Sequence, residues 1–83
     1  MHVTVTADDI KHGRSGSGVS CPVARALSRA AGEQWVVGTN HTWPIKHSNT
    51  GWSFRGQALP EDVVKFIVAF DSHEPCEPFE FDL

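Results

Sequence analysis

The sequence predicts an α+β domain, in which a small antiparallel sheet (a three-stranded meander plus N- and C-terminal strands) packs against two helices. Three observations lead to it. Both ends alternate apolar and polar residues with a period of two, through Val3 and Val5 at one end and Phe79, Phe81 and Leu83 at the other. Two stretches, near 22–31 and 60–70, carry apolar residues at helical spacing. Between them, residues 33–55 hold aromatic and β-branched residues divided by turn formers. With 83 residues, 40% of them hydrophobic and 20% charged, the chain has room for one domain, 1–83, and for one core. This composition fits a soluble globule and excludes a collagen-like chain, a disulfide-dense scaffold and a membrane span.

The elements follow in order. Val3 and Val5 face one way and His2, Thr4 and Thr6 the other, as in a half-buried strand. Thr6 then caps a short helical turn that opens with Asp8 and Asp9 and stops at Gly13. Residues 13–18 form a Gly/Ser loop leading to Pro22, which suits the first helical position, with Ser20 or Cys21 at the cap. Val23, Ala26, Leu27 and Ala30 make the inner stripe of that helix, Arg25, Ser28 and Arg29 its wet side, and Gly32 its end. The stripe is narrow and alanine-rich, which permits close approach to a sheet.

The meander has strands at 34–38, 41–47 and 52–55, with turns near 39–40 and at 48–51. Pairing across the second turn sets His47 opposite Trp52 and Ile45 opposite Phe54, on one face with His41 and Trp43. Pro44 faces the other way and removes a donor, which places the middle strand at or near an edge. In the first strand Val36 opposes the Trp35/Val37 pair, so both faces are apolar. Leu59-Pro60-Glu61-Asp62 opens the second helix, whose stripe of Val63, Phe66, Ile67 and Phe70 is widened by Val64 and Val68. Asp71-Ser72-His73 ends it, ahead of Pro75. The terminal strand, inward at Phe79, Phe81 and Leu83, is expected to pair with Val3 and Val5.

Charge is segregated. Residues 1–60 carry six Lys/Arg and three acids; residues 61–83 carry Lys65 against seven acids, a net of −6. This describes either two solvated faces or a basic surface for an anionic ligand with an acidic edge for a basic protein. The N-terminus lacks a basic region followed by an apolar run, so no signal peptide is expected, and the expected location is cytoplasmic. Cys21 and Cys76 are then expected as free thiols.

Four constellations bear on chemistry. Cys21 at a helix start has the position of a nucleophile, yet no base or oxyanion loop is identifiable by spacing, and a small apolar cap residue explains it better. Five histidines and two cysteines lack the paired spacing of structural zinc sites. No cofactor, metal or catalytic residue is therefore assigned, and an enzyme is not expected. The Gly/Ser loop reads first as a plain mobile connector; with Arg14, Ser15, Ser17 and Arg25 it also has the makings of an anion site, although it lacks the Lys-Ser/Thr ending of a P-loop and does not directly follow a strand. The three tryptophans of the meander fit core packing first, yet they exceed what one side of a small sheet easily buries, so Trp35, Val37, Trp43 and Trp52 form a candidate protein-binding face, ahead of nucleotide stacking.

The segments Val3-Thr4-Val5-Thr6-Ala7-Asp8-Asp9-Ile10, Cys21-Pro22-Val23-Ala24-Arg25-Ala26-Leu27 and Leu59-Pro60, with Phe66-Ile67, Phe70-Asp71 and Glu77-Pro78-Phe79-Glu80-Phe81, form a pattern over about half of the chain. In it the chain resembles a family of short, uncharacterised proteins of actinobacteria and their tailed phages. The resemblance implies a phage or prophage origin, a small α+β domain and, if phage-encoded, residence in the host cytoplasm. It brings no activity and no site residues. The expectation is a phage-type accessory protein that binds a host or phage protein without catalysis. The alternative is a binder of a nucleotide-type ligand through the Gly/Ser loop and arginines, and self-association into a homodimer is a further expectation.

Overall fold

The computed structural model describes residues 1–38, 40–44 and 56–83. The elements run β1 (His2–Val5), α1 (Ala7–His12), α2 (Pro22–Ala31), β2 (Trp35–Val37), β3 (His41–Pro44), β4 (Gln57–Ala58), α3 (Glu61–Asp71) and β5 (Phe79–Asp82). Among the described residues the architecture is mixed α+β, as the sequence predicts, with three helices and two antiparallel sheets rather than one continuous sheet. β1 and β5 pair as expected, Val3 with Phe81 and Val5 with Phe79. β2, β3 and β4 form the meander.

The sheets stay separate because the strand edges that would join them are occupied. The outer edge of β2 is closed by α2 and the loop before it: Trp35 N–H donates to Ser28 Oγ at 3.0 Å and Val37 N–H to the Gly18 carbonyl at 2.7 Å. The outer edge of β1 gives its Thr4 carbonyl to Arg29 at 2.9 Å. Gly18 permits this closure, since a Cβ there would stand 3.0 Å from the Val37 carbonyl oxygen and 3.3 Å from Val36 Cγ1. The Gly/Ser segment is therefore a fitted part of the fold and not a free connector.

β3 is the central strand of the meander, which corrects its expected place at an edge. Pro44 is accommodated by register. Trp35 and Val37 turn their N–H groups away from β3, so Pro44, opposite Trp35, falls in a non-hydrogen-bonded pair of that ladder and its missing donor is not needed there. His41 pairs with Ala58 and Thr42 with Gln57. These pairs lie in the frame predicted for 47–52 and 45–54, and the ladder reaches beyond the expected end at Arg55. The expected pairs of Ile45 with Phe54 and His47 with Trp52 themselves lie outside the described residues.

The core is built around α2. Val23, Ala24, Ala26 and Leu27 are buried with Val3, Val5, Trp35, Val37, Leu59, Val63 and Phe81. Small alanines let α2 approach both β1 and β2, as the narrow stripe predicts. α3 differs from expectation: of its predicted stripe only Val63 is fully enclosed, Phe66, Ile67 and Phe70 are half-exposed, and Val68 is 54% exposed. Among the described residues no helix is long and apolar enough to cross a membrane.

Candidate functional site

Thr6 caps α1 with a reciprocal pair: Asp9 N–H donates to Thr6 Oγ1 at 3.1 Å and Thr6 N–H to Asp9 Oδ2 at 3.0 Å. The Asp9 carboxylate is completely enclosed, and Arg29 grips it with two parallel bonds of 2.9 and 2.7 Å. The Arg29 bonds, reinforced by Thr6, hold the Asp9 carboxyl down at about 2. Arg25, one helical turn earlier on α2, stands 3.4 Å from the same carboxylate and 3.5 Å from Asp8. Both arginines are thus committed to the protein's own acids, and Arg29 does more than wet the surface of α2. The clamp ties α1 to α2 and, through the Thr4 carbonyl, to β1. The Thr6 cap with acids in the first turn was legible in the sequence; the return bond to Asp9, and the arginine partner twenty residues on, were not.

This clamp separates the predicted anion-binding set. Arg25 is held at α1. Ser17 Oγ accepts the Ser20 N–H at 3.0 Å, and the Gly16 N–H already carries a carboxylate, Asp71 Oδ1 at 3.0 Å. Arg14 and Ser15 are exposed on another side, beside Phe70 and His73 in an open depression of about 610 Å³. Arg14, Ser15, Ser17 and Arg25 therefore do not converge on one point. The loop uses its donors on the fold itself.

The predicted protein-binding set is divided as well. Trp35 and Val37 belong to the core, each 7% exposed. They share the inner face of the meander with Thr42 and Pro44, both buried. Trp43 is half-exposed and pairs with Val36 on the outer face, where its ring lies over Gly38. Trp52 lies outside the described residues. The two-sided apolarity of β2 thus resolves into a covered Trp35/Val37 face and a small Val36/Trp43 patch.

Cys21 caps α2 through Sγ, which accepts the Ala24 N–H at 3.3 Å, and burial pushes its thiol pKa up. That opposes a thiolate nucleophile. Cys21 and Cys76 are both free. Among the described residues no group of three or more His, Cys, Asp or Glu side chains is placed to hold a metal.

The most developed surface feature is one that the sequence signalled only by its charge run. Phe66 of α3 meets Phe79 of β5 with ring centroids 4.6 Å apart, and Phe79 stacks on Phe81 at 5.7 Å. These rings floor a groove of about 530 Å³ between α3 and β5, with Asp62 and Glu77 at its edge and Glu80 in its lining. Alternation in 77–82 places acids beside phenylalanines, but only the docking of α3 on β5 makes a groove of them. Comparison with known protein families, curated proteins and solved structures yields no match for this chain.

Proposed function

We propose that the chain is a small accessory protein, of the phage type its sequence pattern suggests, that acts by binding a host or phage protein and not by catalysis. The observation that supports this reading is the aromatic groove between α3 and β5, an apolar floor edged by the carboxylates of Asp62 and Glu77. An aromatic floor beside carboxylates offers a protein partner both apolar contact and charge. The binding side moves accordingly from the meander, where Trp35 and Val37 are covered, to α3 and β5.

The test is site-specific photo-crosslinking in cells. A photoreactive residue in place of Lys65, exposed beside the groove, is expected to give a discrete protein adduct, and the same residue in place of exposed Lys11 on α1 none. Absence of an adduct at 65, or equal adducts at both positions, would overturn the reading.

A nucleotide-type ligand is the second reading, favoured by the depression that sets Arg14 and Ser15 beside Phe70 and His73. Glu74 in the same lining works against an anion there. A nucleotide that binds must raise the melting temperature, so a thermal-shift screen with no responding nucleotide eliminates it.

A further inference from the structure

Among the described residues β5 is an edge strand, and its ladder to β1 determines which of its backbone groups face outward. The Met1 and Leu83 backbones exchange hydrogen bonds. In this antiparallel register Phe81 and Phe79 therefore also direct their N–H and C=O groups to β1, and those of Glu80 and Asp82 point away from it. The same alternation on β1 turns the Thr4 carbonyl outward, and Arg29 takes it. No described residue takes the outward groups of Glu80 and Asp82. A two-stranded sheet with an open edge is an incomplete one.

Side chains around this edge select by charge. Phe79 and Phe81 lie on the inner face beside Phe66, and Glu80 and Asp82 on the outer face. Asp62 and Glu77 add carboxylates to the groove. Its lysine, Lys65, already stands 3.4 Å from Glu61, and on the outer face His2 stands 2.8 Å from Asp82 and 3.3 Å from Glu80, one imidazole against two carboxylates, so the edge keeps a net negative charge. A second copy of this chain pairing antiparallel through β5 would bring Glu80 and Asp82 carboxylates together, which is unfavourable.

We propose that β5 accepts a basic, extended segment of another protein as a third strand, its apolar residues beside the phenylalanine floor and its Lys or Arg residues beside Glu80, Asp82 and Glu77. This rests on the protein-binding reading and adds the chemistry of the partner. Main-chain bonds to Glu80 and Asp82 supply affinity, and the alternation of apolar and basic side chains supplies specificity.

The probe is a fluorescein-labelled peptide of alternating valine and lysine, titrated into the full chain at low salt and followed by anisotropy and amide hydrogen exchange. Binding is expected, with slowed exchange at the Glu80 and Asp82 amides. The valine–glutamate peptide, and the lysine peptide N-methylated at alternate residues, are each expected to bind at least tenfold more weakly. The Glu77→Lys/Glu80→Lys double variant, its fold checked by circular dichroism, is expected to lose at least tenfold for the lysine peptide. No binding, binding without protection of those two amides, or equal binding of the N-methylated peptide overturns the proposal. If the adduct at position 65 nevertheless forms, the edge proposal falls alone and the protein-binding reading stands.

Discussion

Asp9 shows how much one side chain can carry in a small core. Its carboxylate is enclosed, capped onto Thr6 and held in a bidentate Arg29 pair, while Arg29 itself stays half in water, its side chain 53% exposed. Removing the carboxylate charge leaves Arg29 free to hydrate, so the loss should fall below that of a fully buried pair. Asp9→Asn is expected to destabilise the fold by about 2 kcal/mol at neutral pH, read by urea unfolding. The sign with pH follows from the lowered pKa. Asp9 contributes its full stability above the ordinary value of 3.8, and that contribution is lost as pH falls through about 2. The gap between the wild type and Asp9→Asn should therefore close across that window. At Cys21, burial and the N-cap role predict a thiol that ignores reagent in the native state. Cys76, half-buried near the C-terminal strand, should react first, and Cys21 only at the rate of global unfolding; two equally fast thiols by mass spectrometry would contradict this.

The elements end as their chemistry dictates, with one exception that is itself measurable. α2 closes on Gly32 in the left-handed region, φ 71°. α3 closes through the same kind of motif without a glycine: Glu74 N–H reaches back to the Ala69 carbonyl at 3.0 Å and His73 takes φ 60°. A side chain in that conformation costs about 1 kcal/mol. His73→Gly is expected to raise stability by about 0.5–1 kcal/mol, with the melting temperature as the readout; a loss of stability would show that the imidazole makes a compensating contact. The contrast between the two long helices also belongs at this scale. α2 is a strong core element because its inner residues are small, whereas α3, richer in large apolar side chains, buries fewer of them.

Across the whole molecule, the two ends of the chain are joined by one ladder. His2 stands between Asp82 at 2.8 Å and Glu80 at 3.3 Å on the outer face of β1–β5, and the hydrogen bonds to these carboxylates raise its pKa above the usual 6.5. A raised folded-state value means that the contribution of His2 is full below 6.5 and is lost as pH rises through the folded value. The stability difference between the wild type and His2→Gln should thus be present near pH 6 and vanish on the alkaline side. An NMR titration placing the His2 midpoint at or below 6.5 would remove the basis for that expectation. The same closure leaves β5 as an edge, so the joining of the chain ends and the proposed docking surface are two consequences of one strand pairing.

Local chemistry was sufficient for much of this fold. Thr6 as a cap, Pro22 after Cys21, Gly32, the stop at Asp71-Ser72-His73 and the pairing of the two alternating termini could all be read from the sequence, because each depends on a few neighbouring residues or on a period of two or 3.6. Three things were decided only by packing. α2 and its leading loop took the strand edges that would have merged the two sheets. Register put β3 at the centre of the meander and Trp35 in the core. The long-range pairing of Arg29 with Asp9 consumed cations that composition alone offered to a ligand. Sequence reports which faces are apolar and which residues are charged; which face is covered, and which charge is already matched, depends on partners distant in the chain, and only the assembled molecule brings them together.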